Sequence, residues 1–298
     1  CPPRVQPQQF CWHHQNRRRH HSIELSICQL RLHRPTHHCC RYLASDEQFW
    51  KTIRKQYLLK PDYINLENGY YNFVPQPLLE KFIAHVKEVN YQGSFYMRNY
   101  AVENKKRVTS KLAALMGCSA EEIAITRNTT ESLDIVIAGK HWEKGDETIM
   151  AEQDYGSIIE MLKHVGSRYG VINKMVSVPN HPKSDEEIVA LYENAITSKT
   201  KLILVSHMIN VTGHILPIRK ICDMAHAKGV EVCVDGAHAV AHFKFNIPDL
   251  NCDYYGASLH KWLSTPLGAG LLYVKREKMP NIHPLIVGWE KDPYKMLR

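Results

Sequence analysis

The chain has 298 residues and 44% of them are apolar, which is enough for one large domain or two smaller ones with a sizeable core. It contains no run of about 18 apolar residues, so the sequence predicts no transmembrane helix and no membrane partner. The net charge is +8, but residues 1–44 carry +6 of it, because they hold seven Arg and one acid. The remaining body is nearly neutral and gives no reason to expect a nucleic-acid partner.

Residues 1–44 differ in composition from the rest of the chain. They contain five of the nine cysteines and seven histidines, but no Cys-x-x-Cys pair with the spacing typical of a zinc site. Their apolar stretch is interrupted by Glu24, Ser26 and Gln29, so it does not make a secretory h-region. A zinc site and a basic arm for nucleic acid or membrane stay open here. We favour a disordered or non-native leader, and we expect a cytoplasmic protein.

Ordered structure is predicted from Ser45 onward. Ser45 and Gln48 form a capping-box pattern ahead of an apolar helix. A short extended piece and two helices are predicted next, over 63–66, 77–89 and 99–116. The second of these helices is expected to end at Gly117, since glycine is the usual residue just past a helix C-terminus.

From residue 123 onward, short apolar strands alternate with helices of about ten residues. The strands are predicted over 123–126, 147–151, 171–176, 202–206, 230–235, 254–258 and 270–274. The helices are predicted over 130–138, 155–166, 185–196 and 217–227. Such alternation is typical of βαβ units, so the sequence predicts an α/β fold with a mainly parallel central sheet flanked by helices.

Several of these strands are followed by a residue suited to bind a ligand, and a parallel sheet places its site at the carboxyl ends of its strands. Asp235 could pair with a protonated pyridine nitrogen, or it could cap a helix. Asn128–Ser132 opens a helix whose N–H groups could bind phosphate, or it forms an ordinary cap. Tyr155 could stack on a flat ring or be a buried tyrosine. Asn210 also fits a turn, and a lone His238 is more typical of a structural histidine.

The segment Tyr254–Trp262 places Lys261 directly after Ser258 and His260. A lysine amine that attacks a carbonyl cofactor needs a fixed position and neighbours that hold the cofactor's anionic end. We interpret Lys261 as such a lysine for pyridoxal phosphate (PLP), against the simpler interpretation of a surface lysine in a turn. A Rossmann-type nucleotide site is less favoured, because no Gly-x-Gly-x-x-Gly follows the first strand.

The order of these residues resembles the class V aminotransferase family of fold-type-I PLP enzymes, which includes cysteine desulfurases and isopenicillin N epimerase. The similarity spans about Leu66 to Gly288, and its most specific parts are Val234–His238 and Ser258–Trp262. Tyr155 stands where desulfurases carry a stacking histidine. The chain therefore resembles the epimerase branch first and the desulfurase branch second.

The resemblance implies a role for each candidate residue, and it implies no metal. Lys261 would carry the cofactor as a Schiff base and serve as the catalytic base. The other implied cofactor contacts are Thr129, Thr130, Ser258 and His260 at the phosphate, Asp235 at the pyridine nitrogen, His238 and Asn210 at the phenolic oxygen, and Tyr155 on the ring face.

The resemblance also implies that residues 45–298 form the large PLP-binding domain of a fold-type-I enzyme, truncated at the C-terminus. The family continues into a small domain that supplies an arginine for the substrate carboxylate. The implied substrate is an amino acid, with an aminotransferase or epimerase reaction first and a desulfurase or lyase reaction second. A truncated, inactive PLP-binding protein is the alternative of another class. A homodimer is implied too, with Tyr96, Arg98 or Gly288-Trp289 near the neighbour's cofactor.

Overall fold

The computed structural model describes residues 43–285, and these fall into two compact units that divide between Lys55 and Gln56. Predictions for residues 1–42 and for Gly288-Trp289 lie outside the described residues. Between residues 43 and 285, no helix is both long and apolar enough to cross a membrane. The cytoplasmic location stays a prediction.

The described part of the first unit contains helix α1 (Glu47–Arg54), which Asp46 caps. The Asp46 carboxylate accepts hydrogen bonds from the N–H groups of Gln48 and Phe49, at 2.9 and 3.2 Å. The prediction of a cap at Ser45 is therefore wrong by one residue, because the Asp46 side chain reaches both free N–H groups of the first turn.

The second unit is built around a seven-stranded sheet with the order β1-β7-β6-β5-β4-β2-β3. The strands, numbered β1 to β7 in chain order, are Ile123–Thr126, Glu147–Ala151, Ile172–Val176, Thr200–Ser206, Glu231–Asp235, Tyr254–Ser258 and Gly270–Val274. Strand β7 is antiparallel to both of its neighbours, β1 and β6, and the other neighbouring pairs are parallel. Six strands thus point the same way, which confirms the prediction of a mainly parallel sheet.

The helices of this unit lie close to the predicted ranges. Helices α2 to α8 are Gln76–Gln92, Ser94–Met116, Thr129–Gly139, Gly156–Tyr169, Asp185–Ala195, Ile218–Ala227 and Ile247–Leu250, and two 3₁₀ helices cover Ala120–Glu122 and Arg276–Asn281. Helix α3 starts five residues before its predicted start, because Gly93 adopts a φ of 55° and lets α3 follow α2 directly. It ends as predicted at Gly117, which is left-handed with a φ of 70°.

Helices cover both faces of the sheet, and each face has its own apolar core. On one face, Leu112 of α3, Ile188 of α6 and Ile221 of α7 belong to the same buried cluster as Val234 of β5. On the other face, α4 and α5 pack with Cys233, the residue of that strand directly before Val234. Neighbouring strand residues point to opposite faces, so one continuous apolar strand serves both cores. Because both faces of the strand are covered, the carboxylate of Asp235 at its end is buried as well.

The cysteines of the described residues are Cys118, Cys222, Cys233 and Cys252, and all four are free thiols. Burial raises the pKa of each of them, to about 11 for the partly exposed Cys118. Because the thiolate is the reactive form of cysteine, a raised pKa makes a thiol a poor nucleophile at neutral pH. Their positions agree with the prediction of reduced, packed thiols.

Candidate active site

Three neighbouring strands end side by side at the carboxyl edge of the sheet. Ser206 of β4 is paired with Asp235 of β5, and Asp235 is paired with Gly256 of β6. Strand β6 runs two residues further, to Ser258, and leads into the loop that carries Lys261. The residues that follow these strands therefore meet at one edge, as expected for a parallel sheet.

Five of the nine predicted site residues line one small cavity at this edge, and they are Tyr155, Asn210, Asp235, His238 and Lys261. They follow four different strands, β2, β4, β5 and β6. The cavity has a volume of only about 10 Å³, and Lys261 is among the residues that line it. The Lys261 Nζ is 3.1 Å from Nε2 of His238 and 5.7 Å from the centre of the Tyr155 ring.

Asp235 is buried at the end of β5. Its Oδ1 accepts a hydrogen bond from the N–H of Ala237 at 2.9 Å, so the interpretation of Asp235 as a local cap describes one of its two oxygens. Burial raises the pKa of the Asp235 carboxyl, and the Ala237 hydrogen bond and the charge of Lys261 oppose this rise. A buried carboxylate with one oxygen left over is suited to pair with a cation.

Burial also shifts the pKa values of Lys261 and His238, the two basic side chains that face each other in the cavity. It lowers the pKa of Lys261, and Asp235 limits the decrease. It lowers the pKa of His238 to about 4, and the nearby Lys261 and His242 add to the effect. His238 is therefore neutral at neutral pH, and the Lys261 amine loses its proton more readily than a surface lysine does. An amine with a lowered pKa is a nucleophile suited to covalent catalysis.

A second group of predicted residues lies at the N-terminus of α4. The N–H of Thr129 donates to Oγ of Ser258 at 2.9 Å, and the two hydroxyl groups are 2.8 Å apart. The N–H of Glu131 donates to the side chain of the N-cap residue, Asn128, at 2.8 Å. Within the described range, nothing accepts a hydrogen bond from the N–H of Thr130 between them. This N–H stays available at the positive end of the helix.

His260 and Asn210, the two remaining predicted residues of this edge, differ in burial and in hydrogen bonding. Nδ1 of His260 is buried and has no hydrogen-bond partner among residues 43–285. Asn210 lines the small cavity but is exposed, and it lies in a turn in which the N–H of Gly213 donates to the carbonyl of Ile209. The interpretation of Asn210 as a turn residue is correct for its backbone.

Thr130 lines a different and larger cavity of about 600 Å³ beside β1, together with Arg127 and Asp134. Size alone would favour this cavity as the active site. Arg127, however, is exposed and paired with Glu131. We assign the site to the smaller cavity, because a lysine of lowered pKa, a buried carboxylate and a neutral histidine meet there.

Two residues without a predicted role also contact the site. Nε1 of Trp262 donates to Nδ1 of His238 at 3.4 Å. The buried Asp154 accepts from the N–H and the hydroxyl of Ser206, at 3.0 and 2.7 Å, and burial raises its pKa to about 6. The signal for Asp154 was its place directly before Tyr155, three residues after the end of the apolar strand β2. Trp262 had only its position next to Lys261.

A family model described as Aminotransferase class-V matches residues 75–292. Isopenicillin N epimerase from Streptomyces clavuligerus is 27% identical over 244 residues, and the match covers 82% of this chain and 61% of that protein. A probable cysteine desulfurase from Synechocystis sp. is 27% identical over 252 residues, with 80% of this chain and 59% of that protein covered. The chain thus spans about three-fifths of the length of these curated relatives.

Solved structures share the fold. A variant of C-DES with glycine covalently linked to its PLP cofactor has a TM-score of 0.73 and 26% identity, covering 79% of this chain and 63% of that chain. The cystine C–S lyase C-DES in complex with cysteine persulfide has a TM-score of 0.70 and 27% identity, covering 74% and 60%. The α/β fold of the large PLP-binding domain is therefore as predicted.

Proposed function

Because the chain belongs to the aminotransferase class-V family, we propose that it is a PLP-dependent enzyme that acts on an amino acid. The observation that carries the proposal is the convergence of Lys261, Asp235, His238 and Tyr155 on one cavity at the carboxyl edge of the sheet. Residues 45–298 would be its cofactor-binding domain. The chain spans about three-fifths of each of these relatives, so its reaction is part of the proposal.

The side chains around the cavity fit the ring of PLP. The buried Asp235 has an oxygen left over for a protonated ring nitrogen, and the Lys261 amine is suited to bond the aldehyde carbon. The face of Tyr155 offers a stacking surface. His238 and Asn210 would serve the phenolic oxygen, since both line the same cavity.

The phosphate also finds a matching set of donors. The free N–H of Thr130 lies at the N-terminus of α4, where the helix dipole favours an anion. The hydroxyls of Thr129 and Ser258 lie beside it, and the unpaired Nδ1 of His260 is a buried polar atom that needs a partner. The unmet hydrogen-bonding capacity of this region therefore agrees with a bound phosphate.

When bound here, PLP supplies a cationic ring that withdraws electrons from the α-carbon of an amino acid. Asp235 holds the proton on the ring nitrogen by charge pairing. Lys261 would hold the cofactor and would also remove the α-proton of the substrate, because burial lowers the pKa of its amine and so favours the basic form. His238 would serve the phenolic oxygen of the ring, and Tyr155 would offer its face to the ring.

The return of that proton decides the reaction. We place an epimerase or aminotransferase reaction first, supported by the similarity to isopenicillin N epimerase and by the aromatic Tyr155. A desulfurase or lyase reaction is the second candidate, supported by the similarity to a probable cysteine desulfurase and to a cystine C–S lyase. In both cases Lys261 is the residue that moves the proton.

A homodimer is part of the same proposal. Helices α2 and α3 expose apolar side chains to solvent, among them Phe82, Val86 and Phe95. Tyr96, which the resemblance places near a neighbour's cofactor, lines a cavity of about 480 Å³ with the first two of these. An apolar patch of this kind marks a protein–protein contact more often than a solvated surface.

The test begins with the purified chain and added PLP. We expect visible absorbance that borohydride fixes covalently to the peptide containing Lys261, as detected by mass spectrometry, and Lys261→Ala should abolish both. Lys163→Ala, which removes an exposed lysine of α5, is the matched control. A chain that takes up no PLP would refute the proposed function.

The reaction type follows from three product assays on the loaded protein with amino acids. Exchange of the α-proton with solvent deuterium and inversion indicate an epimerase, an oxo acid indicates an aminotransferase, and sulfide with alanine indicates a desulfurase. Binding of PLP without any of these products would show an inactive PLP-binding protein.

A further inference from the structure

We propose that Trp262 is a positioning residue that keeps the ring hydrogen of His238 on Nε2, so that His238 donates a hydrogen bond to the neutral amine of Lys261. The proposal deepens the proposed function and rests on it for its catalytic meaning. The tautomer of His238 is, however, a property of the chain itself, and it can be measured without any cofactor.

The hydrogen-bonding capacity of the three side chains requires this arrangement. The indole N–H of Trp262 is only a donor, so Nδ1 of His238, 3.4 Å away, must accept. A neutral imidazole carries a single ring hydrogen, and with Nδ1 as acceptor that hydrogen is on Nε2. Nε2 lies 3.1 Å from Nζ of Lys261, so Nζ must accept in turn. Only the neutral amine has a lone pair for this, because an ammonium group donates three hydrogens and accepts none.

The surroundings agree with a neutral pair. His238 is neutral because burial lowers its pKa to about 4, and burial also lowers the pKa of Lys261. The charged or titratable groups that act on the pair are Asp235, which favours the charged lysine, and His242, which disfavours a charged His238. The hydrogen bond from Trp262 adds a preference that neither burial nor charge provides, namely which ring nitrogen carries the hydrogen.

Trp262 is itself held in place by its neighbours. The ring of His242 stacks on the indole, with the ring centres 3.8 Å apart and an angle of 17° between the planes. Nδ1 of His242 lies 3.0 Å from the carbonyl of His238, which accepts its hydrogen. Gly69 also lies close to both rings, since an added Cβ there would lie 3.3 Å from the His238 ring and 3.7 Å from the indole. The indole N–H is thus aimed at Nδ1 by packing.

The arrangement matters for loading the cofactor. When an aldehyde is captured, the lysine nitrogen bonds to the aldehyde carbon and one water leaves, and only the neutral amine begins this step. If Trp262 no longer donates, His238 can place its hydrogen on Nδ1 and accept from a charged Lys261. The charged form of Lys261 is then favoured, and capture at neutral pH becomes slower.

The experiment compares the parent chain with Trp262→Phe, which removes the N–H and keeps an aromatic ring against His242. Long-range ¹H–¹⁵N NMR of the histidine-labelled, cofactor-free chain reports the tautomer, and His238→Gln identifies the signal among 18 histidines. Trp142→Phe is the matched control, because it removes another indole hydrogen bond, to the carbonyl of Ile137, away from the site. The rate of PLP capture is followed by absorbance.

We expect the parent His238 to carry its hydrogen on Nε2, and Trp262→Phe to lose this preference and to slow capture at neutral pH about fivefold, equivalent to about 1 kcal/mol. Trp142→Phe should change neither. In the His238→Gln background, Trp262→Phe should have no further effect on capture, whereas a merely structural Trp262 would still slow it.

A hydrogen on Nδ1 in the parent chain overturns the proposal, and this result does not depend on how the variants fold. An unchanged tautomer in Trp262→Phe overturns it as well. If the tautomer and its loss are as expected but no PLP is captured by the parent, the proposed function fails while the tautomer assignment stands.

Discussion

Replacement of Gly236 by alanine tests how closely the strand behind the site is packed. A Cβ at Gly236 would lie 2.0 to 2.3 Å from three atoms of the Tyr255 side chain, Cε1, Cζ and the hydroxyl. Tyr255 is fully buried, and its hydroxyl is 2.9 Å from Nδ1 of His207. Gly236 lies between Asp235 and Ala237, which are joined by the hydrogen bond described above. The ring must therefore move, or the Asp235 turn must.

The size of the effect follows from what has to move. Overpacking a well-packed core costs about 1–3 kcal/mol. Displacing the Tyr255 hydroxyl leaves His207 without its partner, which adds about 1–3 kcal/mol for an unpaired buried group. We therefore expect Gly236→Ala to lower the free energy of unfolding by about 2–6 kcal/mol, a large share of the about 5–15 kcal/mol typical of a domain. The variant should also retain PLP more weakly, since Asp235 shifts with the turn.

The assay is urea denaturation followed by circular dichroism, together with PLP retention after gel filtration. Gly156→Ala is the matched control, because a Cβ at Gly156, in the first turn of α5, meets no atom within 4 Å. This control should be neutral or stabilising by up to about 1 kcal/mol. A Gly236→Ala chain whose unfolding free energy lies within about 0.5 kcal/mol of the parent, a change typical of an uncrowded surface site, would refute the packing argument.

Two further substitutions address the hydrogen bonds near the site. Ser258→Ala should lower the unfolding free energy by about 1–3 kcal/mol, because the N–H and the hydroxyl of Thr129 lose their partner. The exposed Ser167→Ala is the control. Equal urea midpoints for the two variants would contradict the prediction. Burial lowers the pKa of His207 from 6.5 to about 4, so the stability that its neutral form provides is complete above pH 6.5 and is lost as the pH falls toward 4. Urea titrations at these two pH values measure how far the free energy of unfolding falls. This fall should be about 3 kcal/mol smaller in His207→Gln than in the parent, and identical falls would exclude this role.

The parallel sheet and the place of Asp235 at a strand end were predictable for a physical reason. Strands such as β5 are apolar at every position because both of their faces are covered, and they end at one polar residue, here Asp235. The direction of β7 was not predictable, since a short apolar strand has the same pattern in either orientation. Its antiparallel insertion between β1 and β6 decides that Thr129 lies beside Ser258.

The remaining details of the site depend on tertiary contacts. The separate cavity at Thr130 and the exposure of Asn210 follow from how loops pack, which spacing along the chain does not record. The same is true of Trp262, whose contact with His238 joins two loops that follow different strands. A polar residue at a strand end indicates where a site lies, whereas the partner of each polar atom becomes known only in the folded chain.

The contact between Thr129 and Ser258 has a consequence for synthesis of the protein. The two residues are 129 positions apart, and the sheet between them closes only when β6 and β7 are present. At a translation rate of about 5–20 residues per second, Ser258 is made about 6–26 s after Thr129. Until Ser258 is made, the nascent chain has at most β1 to β5 and part of β6, and it has neither Lys261 nor β7. At the proposed site, PLP would bind only after Lys261 and β7 have been made, so bound PLP would mark a chain whose sheet is complete.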